Sequence, residues 1–253
     1  MINVILLGGG NLAYHLTNEF LNNAAINLVQ VYNRSLASIS YLKGKTAITN
    51  DIKQLKEADI YMLCVSDNAI SELSIQLIFK NKLVVHTSGA MGLNTLKSTS
   101  NKGVFYPLQS FSKEKEVNFS NIPIGIEANR TKDEDLLMQL AKAISKQCYL
   151  INSEQRKHLH VAAVFVNNFV NHMYVLGNEI CDAHQIPFEI LTPLIQETAL
   201  KLSSLSPFEA QTGPAKRNDS QTIETHLSLI CENQQKIYKL LTQSIKNTYG
   251  KKL

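Results

Sequence analysis

A doubly wound, mostly parallel α/β sheet followed by an all-helical C-terminal half is the fold class that this sequence predicts. Three observations predict it. Up to Ile151, short β-branched and apolar runs alternate with helical stretches; a glycine-rich turn directly follows the first run; and beyond Ser153 the strand-like runs give way to long helical ones. The alternation is what crossover connections between parallel strands require.

The runs at 2–7, 26–32, 45–49, 59–65 and 82–87 read as strands. They are nearly continuous in apolar residues, as expected of parallel strands covered on both faces. Residues 11–22, 35–42, 51–57 and 68–79 supply the crossover helices, with Asp51 and Asp67 as N-caps. The runs 103–108 and 122–128 extend the sheet. Thr131 and Glu134 make a T-x-x-E pattern that predicts a capping box and a helix over 132–146, and 147–151 supplies a last strand. Residues 153–184, without a proline, read as one long helix, 187–204 as a second and 219–248 as a third. The boundary therefore falls near 152, with an α/β domain over 1–152 and a helical domain over 153–253. The five lysines after Glu232 (236, 239, 246, 251 and 252) fit a solvated helix face.

Composition narrows the function classes. With 253 residues, 44% hydrophobic and 18% charged, the chain is neither disordered nor fibrous. A net charge of +4 does not point to a nucleic acid. The opening MINVILLGGG has no basic region of the secretory kind, and no apolar run approaches membrane-spanning length. Cys64, Cys148, Cys181 and Cys231 lie far apart without a C-x-x-C, which reads as buried, reduced thiols in a cytoplasmic protein. The seven histidines are scattered, and His158 and His160 point in opposed directions on a helix, so no metal site is expected.

Gly8-Gly9-Gly10-Asn11-Leu12-Ala13 fits G-x-G-x-x-A, directly after a strand and opening a helix. In that context the pattern is a dinucleotide fingerprint. Gly8 permits the tight turn, Gly10 lets the backbone approach a pyrophosphate, and Ala13 lets helix and strand pack closely. The free N–H groups and the positive end of the helix dipole then face the phosphates. The second strand ends before Asn33-Arg34-Ser35, where an NAD site would place a carboxylate. An Arg and a hydroxyl there suit a 2′-phosphate, so NADP (NADPH) is the expected cofactor. An ordinary turn with Asn33 as a helix cap is the competing reading.

Ligands of such sheets lie at the carboxyl ends of the strands. Val65-Ser66-Asp67 and His86-Thr87-Ser88-Gly89 occupy those ends, and Ser66, Ser88 and Gly89 are small enough to admit a nicotinamide ribose. Asp67 reads better as a helix cap than as an acid, and His86 as a turn histidine. On an unbroken α-helix His160 and Asn167 lie within about 20° of each other, with Lys157, Asn168, Asn171 and Asn178 nearby. That amide-rich stripe is either a solvated face or the wall of a polar cleft. In the loop 212–219, Asp219 reads as a cap, and Arg217 is placed to hold an anionic group.

The order G-x-G-x-x-A, N-R-S, C-V-S-D, H-T-S-G-A, Y-P-L-Q-S-F, H-x-x-A-x-x-x-x-N and T-G-P-A-K-R-N-D resembles bacterial Rossmann-like proteins with a C-terminal helical domain of uncharacterised function. These are described as NADP oxidoreductases of the deazaflavin-dependent type. More distantly the chain looks like pyrroline-carboxylate reductase, ketopantoate reductase and the β-hydroxyacid dehydrogenases, with a two-domain plan like that of 6-phosphogluconate dehydrogenase. The resemblance implies dinucleotide binding at Gly8, Gly10, Asn33, Arg34 and Ser35, to which the glycine pattern and the strand ends add Asn11, Leu12, Ala13, Val65 and Ser66 as cofactor candidates. It also implies a cleft formed by Ser88, His160, Asn168 and Arg217, and a homodimer joined by the helical domain. The dehydrogenases carry a catalytic Lys followed one turn later by Asn. Here His160 stands in that pattern, with Lys157 nearly one turn upstream, so the acid/base group is either of the two. An NADP-dependent oxidoreductase acting on a small carbonyl or imine is the leading function, and an NADP-binding sensor or scaffold without turnover is the alternative.

Overall fold

The structure, a computed structural model, describes residues 1–79, 81–98 and 100–250. It divides into two compact units, Met1–Ala163 and Val164–Leu253. Lys251 and Lys252 of the basic tail lie outside the described residues.

The first unit is built on one eight-stranded sheet. Its strands are β1 (Ile2–Leu7), β2 (Ile26–Tyr32), β3 (Ala47–Thr49), β4 (Ile60–Leu63), β5 (Leu83–His86), β6 (Asn101–Pro107), β7 (Ile124–Ala128) and β8 (Cys148–Leu150). The order is β3-β2-β1-β4-β5-β6-β7-β8, parallel throughout except for the antiparallel pair β6–β7. This is the expected doubly wound sheet, and its direction of winding reverses between β1 and β4. Alternate residues feed two cores. Val4, Leu6, Met62 and Val85 face one side, covered by Leu16 and Phe20 of α1 (Asn11–Leu21) and by Leu137 and Leu140 of α3 (Thr131–Ile144). Ile5, Leu7, Tyr61 and Val84 face the other, covered by Ile70 of α2 (Asp67–Ile75), with Leu77 and Leu96. Burial on both faces is why these strands are apolar at every position.

Several expected elements take a different form. The connections at 36–42 and 52–54 are 3₁₀ turns rather than α-helices. The first of these is serine-rich, and Ser40 Oγ donates to the Ala37 carbonyl, competing with helical hydrogen bonds. Asp51 does cap its turn, accepting from Lys53 N at 2.9 Å. Asp67 is instead the first helical residue after an N-cap at Ser66, where its charge suits the dipole. The capping box at Thr131 does not form. Thr131 already lies in α3, and Arg130 at the N-cap clamps Asp133 through Nε at 2.7 Å and Nη2 at 2.8 Å.

The long helix after Ser153 is α4 (Ser153–Ala163), a π-helical segment Val164–Phe169, and α5 (Val170–Ala183). A π turn takes about one residue more than an α turn, so the phase computed across it for His160 and Asn167 does not carry. The change of unit at 163 and 164 comes after the change of sequence character near 152, and α4 clusters with the sheet. The second unit continues with α6 (Thr192–Leu200), the single turn α7 (Pro207–Ala210), α8 (Ser220–Ser228) and α9 (Glu232–Tyr249). The expected third helix is thus broken. Cys231 caps α9, and Gln235 Nε2 donates to the carbonyls of Leu227 and Ile230, satisfying the end of α8. Cys64 and Cys181 are buried, Cys148 is half-buried, and Cys231 is exposed, contrary to the expectation that all four are buried; all are free. No helix among the described residues is long and apolar enough to cross a membrane.

His86, the last residue of β5, is 0% exposed and accepts a hydrogen bond at Nδ1 from Ser88 N. Burial, and secondly the charge of Arg156, push its imidazole down to about 4. Unfolding returns it to about 6.5, so between those values the unfolded chain holds more protons. Stability contributed by a neutral His86 is complete above 6.5 and is lost as pH falls toward 4. Urea titrations at pH 7 and 4.5 should differ by about 2–3 kcal/mol more in the unmodified protein than in His86→Gln. An equal pH dependence in both would refute the assignment.

Candidate functional site

Gly8 follows β1 with φ +142°, and a Cβ there would lie 2.1 Å from the Cys64 carbonyl oxygen. Only glycine lets β1 turn this close to the end of β4. Gly8 N donates to the Tyr32 carbonyl and Cys64 N to the Leu7 carbonyl, so the turn is held by β2 and β4 together. A Cβ on Gly10 would meet nothing within 4 Å, whereas Ala13 is 1% exposed against the sheet. The turn is open on its ligand side and closed on its packing side, the arrangement the glycine pattern predicts. Asn11 Nδ2 donates to the Phe111 carbonyl, and His15 Nε2 lies 2.9 Å from that of Ser112, so the chain after β6 is fastened to the first turns of α1.

A cavity of about 530 Å³ lies in front of this turn. It sits at the carboxyl ends of β1, β2, β4 and β5, where the sheet reverses direction. Of the expected cofactor residues, Gly8, Gly10, Asn11, Leu12, Asn33, Arg34, Val65 and Ser66 line it. Ala13 stands behind the turn. Ser35 does not line the cavity, its carbonyl accepting from Asn33 Nδ2; Ser38, one 3₁₀ turn later, does. Sequence reasoning placed Thr87 only at the ligand-facing strand end and missed Ser38, Glu72 of α2 and Gln76 at the C-cap of that helix. The last two were findable, since the helix after β4 begins at the site.

A second cluster lies beside Thr87. Arg156 of α4 is fully buried, and its guanidinium donates to Glu127 of β7, to the Met91 carbonyl and to Ser153 Oγ. Ser153 Oγ donates in turn to the Glu127 carboxylate and accepts from Leu93 N, binding the loop after β5. One helical turn beyond Arg156, His160 Nδ1 lies 3.2 Å from the Tyr106 hydroxyl. Both side chains close over Gly89, where a Cβ would meet His160 Nδ1 at 2.6 Å and the Tyr106 hydroxyl at 2.7 Å. Tyr106 is 8% exposed, and burial pushes its phenol above the ordinary range. Glu127, Arg156 and Tyr106 escaped the sequence reading because their partners are remote along the chain.

The other candidates are placed as follows. Lys157 is exposed and paired with Glu154 at 2.8 Å. Ser88 Oγ accepts from Ala90 N and Met91 N, holding the loop after β5. Asn168, in the π segment, and Arg217, in the turn before α8, are exposed residues of the second unit. Asp219 caps α8, accepting from Thr222 N. Among the described residues no three His, Cys, Asp or Glu side chains form a metal-binding group.

Comparison with known proteins gives a consistent picture. Residues 122–245 match a family described as a domain of unknown function, DUF2520. The chain is 39% identical to a crystal structure described as a "putative NADP oxidoreductase" from Bacteroides fragilis, over 97% of this chain and 98% of that one, with a TM-score of 0.89. A pyrroline-5-carboxylate reductase from Coxiella burnetii is 18% identical over 99% and 98% of the two chains (TM-score 0.58). A reductive aminase from Aspergillus terreus, in complex with NADPH and ethyl levulinate, is 12% identical over 99% and 95% (TM-score 0.70). At those last two identities the likeness is one of Rossmann-type fold. No curated protein matches the chain.

The Arg156–Glu127 contact makes a quantitative demand on stability. Glu127→Gln preserves shape but leaves a buried guanidinium without its counter-charge, and should lower the unfolding free energy by about 3–5 kcal/mol. Denaturant unfolding of the variant checks this, and a loss below about 1 kcal/mol would show the pair to be incidental.

Proposed function

This chain belongs to the same family as that Bacteroides fragilis protein, and we propose that it binds NADP(H) in the cavity before the glycine turn and reduces a small carbonyl or imine substrate. The observation that carries the reading is that turn. Gly8 is fixed by a steric limit, Gly10 is open to the cavity, and α1 begins there with no side-chain cap on its first N–H groups, which suits a pyrophosphate. Arg34 at the end of β2, with Asn33 and Ser38, suits a 2′-phosphate. Bound NADPH supplies a hydride; the chain supplies orientation and a proton.

His160 is the proton carrier we favour. Lys157 is occupied by Glu154 in an exposed ion pair, and Ser88 Oγ is occupied by two backbone N–H groups. Asn168 and Arg217 enter as second-unit residues whose suggested roles, orienting the substrate oxygen and holding an anionic substituent, are to be tested by substitution. Full activity in a His160 variant with loss in a Lys157 variant would transfer the role to Lys157, and only NADP binding without any turnover would favour the alternative of a sensor or scaffold. The deazaflavin dependence implied by the resemblance belongs to the same assay, as an alternative hydride partner. Four free cysteines support a cytoplasmic setting.

The second unit also supports a homodimer. Val166 (74% exposed), Ile190 (65%), Leu194 (64%) and Leu240 (72%) leave much apolar surface uncovered for one chain. Sedimentation at micromolar concentration should give twice the chain mass, and a monomer would count against the interface.

Calorimetric titration should show NADPH binding at least about tenfold tighter than NADH, and Arg34→Ala should remove about 1–3 kcal/mol of that preference. Equal affinities in the unmodified protein would overturn the cofactor assignment. With NADPH bound, a panel of small carbonyls, imines and a deazaflavin should reveal oxidation that His160→Gln slows by roughly 100-fold. Binding with no oxidation by any of them would favour the sensor.

A further inference from the structure

We propose that Tyr106 is a positioning residue that fixes His160 as a hydrogen-bond donor through Nε2. The inference deepens the reading of His160 as proton carrier and rests on it for its catalytic meaning, but the geometry stands on its own. The Tyr106 hydroxyl lies 3.2 Å from His160 Nδ1, and it has no other hydrogen-bond partner among the described residues. A phenol with so little exposure must direct its proton at an available acceptor, and the acceptor in reach is Nδ1. An imidazole that accepts at Nδ1 carries its single proton on Nε2, on the side of the ring away from Tyr106.

Two further features enforce the arrangement. Gly89 has no side chain, and any Cβ there would occupy the space in which the imidazole and the phenol meet. Arg156, one turn before His160 on the same face of α4, is locked to Glu127 and Met91 and so fixes the helix that carries the imidazole. Rotation of the ring to present Nδ1 outward would strand the buried hydroxyl. The pair meets over Gly89, two residues along the chain from Thr87, which lines the nucleotide cavity. His160 is therefore set to donate a hydrogen bond through Nε2 to an electron-rich substrate oxygen or nitrogen rather than to abstract a proton. As the Nε2 proton passes to the substrate, Nδ1 takes the Tyr106 hydroxyl proton, which solvent then restores.

The test needs no substrate. In protein labelled with ¹⁵N at histidine, the neutral His160 ring should show Nε2 at the protonated extreme and Nδ1 at the lone-pair extreme. In Tyr106→Phe, which keeps the ring and removes the hydroxyl, the two signals should move toward each other. The conservative Phe also leaves room to fold, and an unchanged NADPH titration checks that the cavity is intact. Gly89→Ala should shift the same two signals by displacing the ring. Protonation at Nδ1 in the unmodified protein, or identical signals in Tyr106→Phe, would overturn the inference. Once a substrate is found, a Tyr106→Phe variant with the shifted signals should lose roughly tenfold in kcat with KM within about twofold. Shifted signals with full kcat would leave the tautomer assignment standing and sink His160 as the proton carrier.

Discussion

The burial of one guanidinium organises the candidate site. Removing a charge as large as that of Arg156 from water costs several kcal/mol, and the cost is met only if acceptors surround it. Here they come from three places: the Glu127 carboxylate on β7, the Met91 carbonyl in the loop after β5, and Ser153 at the start of α4. The contact therefore joins the antiparallel end of the sheet, a loop at the carboxyl edge and the first helix beyond the last strand. His160 follows one turn later, and its position is inherited from this anchor.

The proposed nucleotide cradle rests on a different constraint, the approach of β1 to β4. Gly8 occupies a backbone conformation that side chains rarely adopt, hard against the Cys64 carbonyl. The strands on either side are buried on both faces, so the turn has no freedom to relax into the layers. Rigid packing behind the turn and open space before Gly10 together suit this strand end to the phosphates of the proposed cofactor.

Much of this was legible in the sequence, and the failures have physical causes. The strands were readable because double burial makes them apolar at each position, and the glycine turn because all its determinants lie within six consecutive residues. Ser35 was read as a cofactor residue because it adjoins Asn33-Arg34, whereas the 3₁₀ turn that follows presents the later hydroxyl of Ser38 to the cavity. The phase linking His160 to Asn167 failed because nothing in Val164–Phe169 announces a π-helical segment. Glu127, Tyr106 and Arg156 were hidden because contacts spanning 29 and 54 residues leave no local pattern. The capping box at Thr131 misled for the opposite reason: the local pattern was present, but Arg130 had already taken Asp133.

The fastening of the segment after β6 to α1 has a thermodynamic corollary. Asn11 and His15 hold the carbonyls of Phe111 and Ser112, and the same stretch of chain leads back to Tyr106 at the end of β6. The helix proposed to face the phosphates and the strand that carries the phenol are thus joined through one tethered segment. Any ligand that stiffens the start of α1 has already met part of the ordering entropy of that segment, and a second ligand at Tyr106 and His160 then meets less of it. Reciprocity requires the same coupling free energy in the reverse order, so occupancy of either end tightens the other by an equal factor.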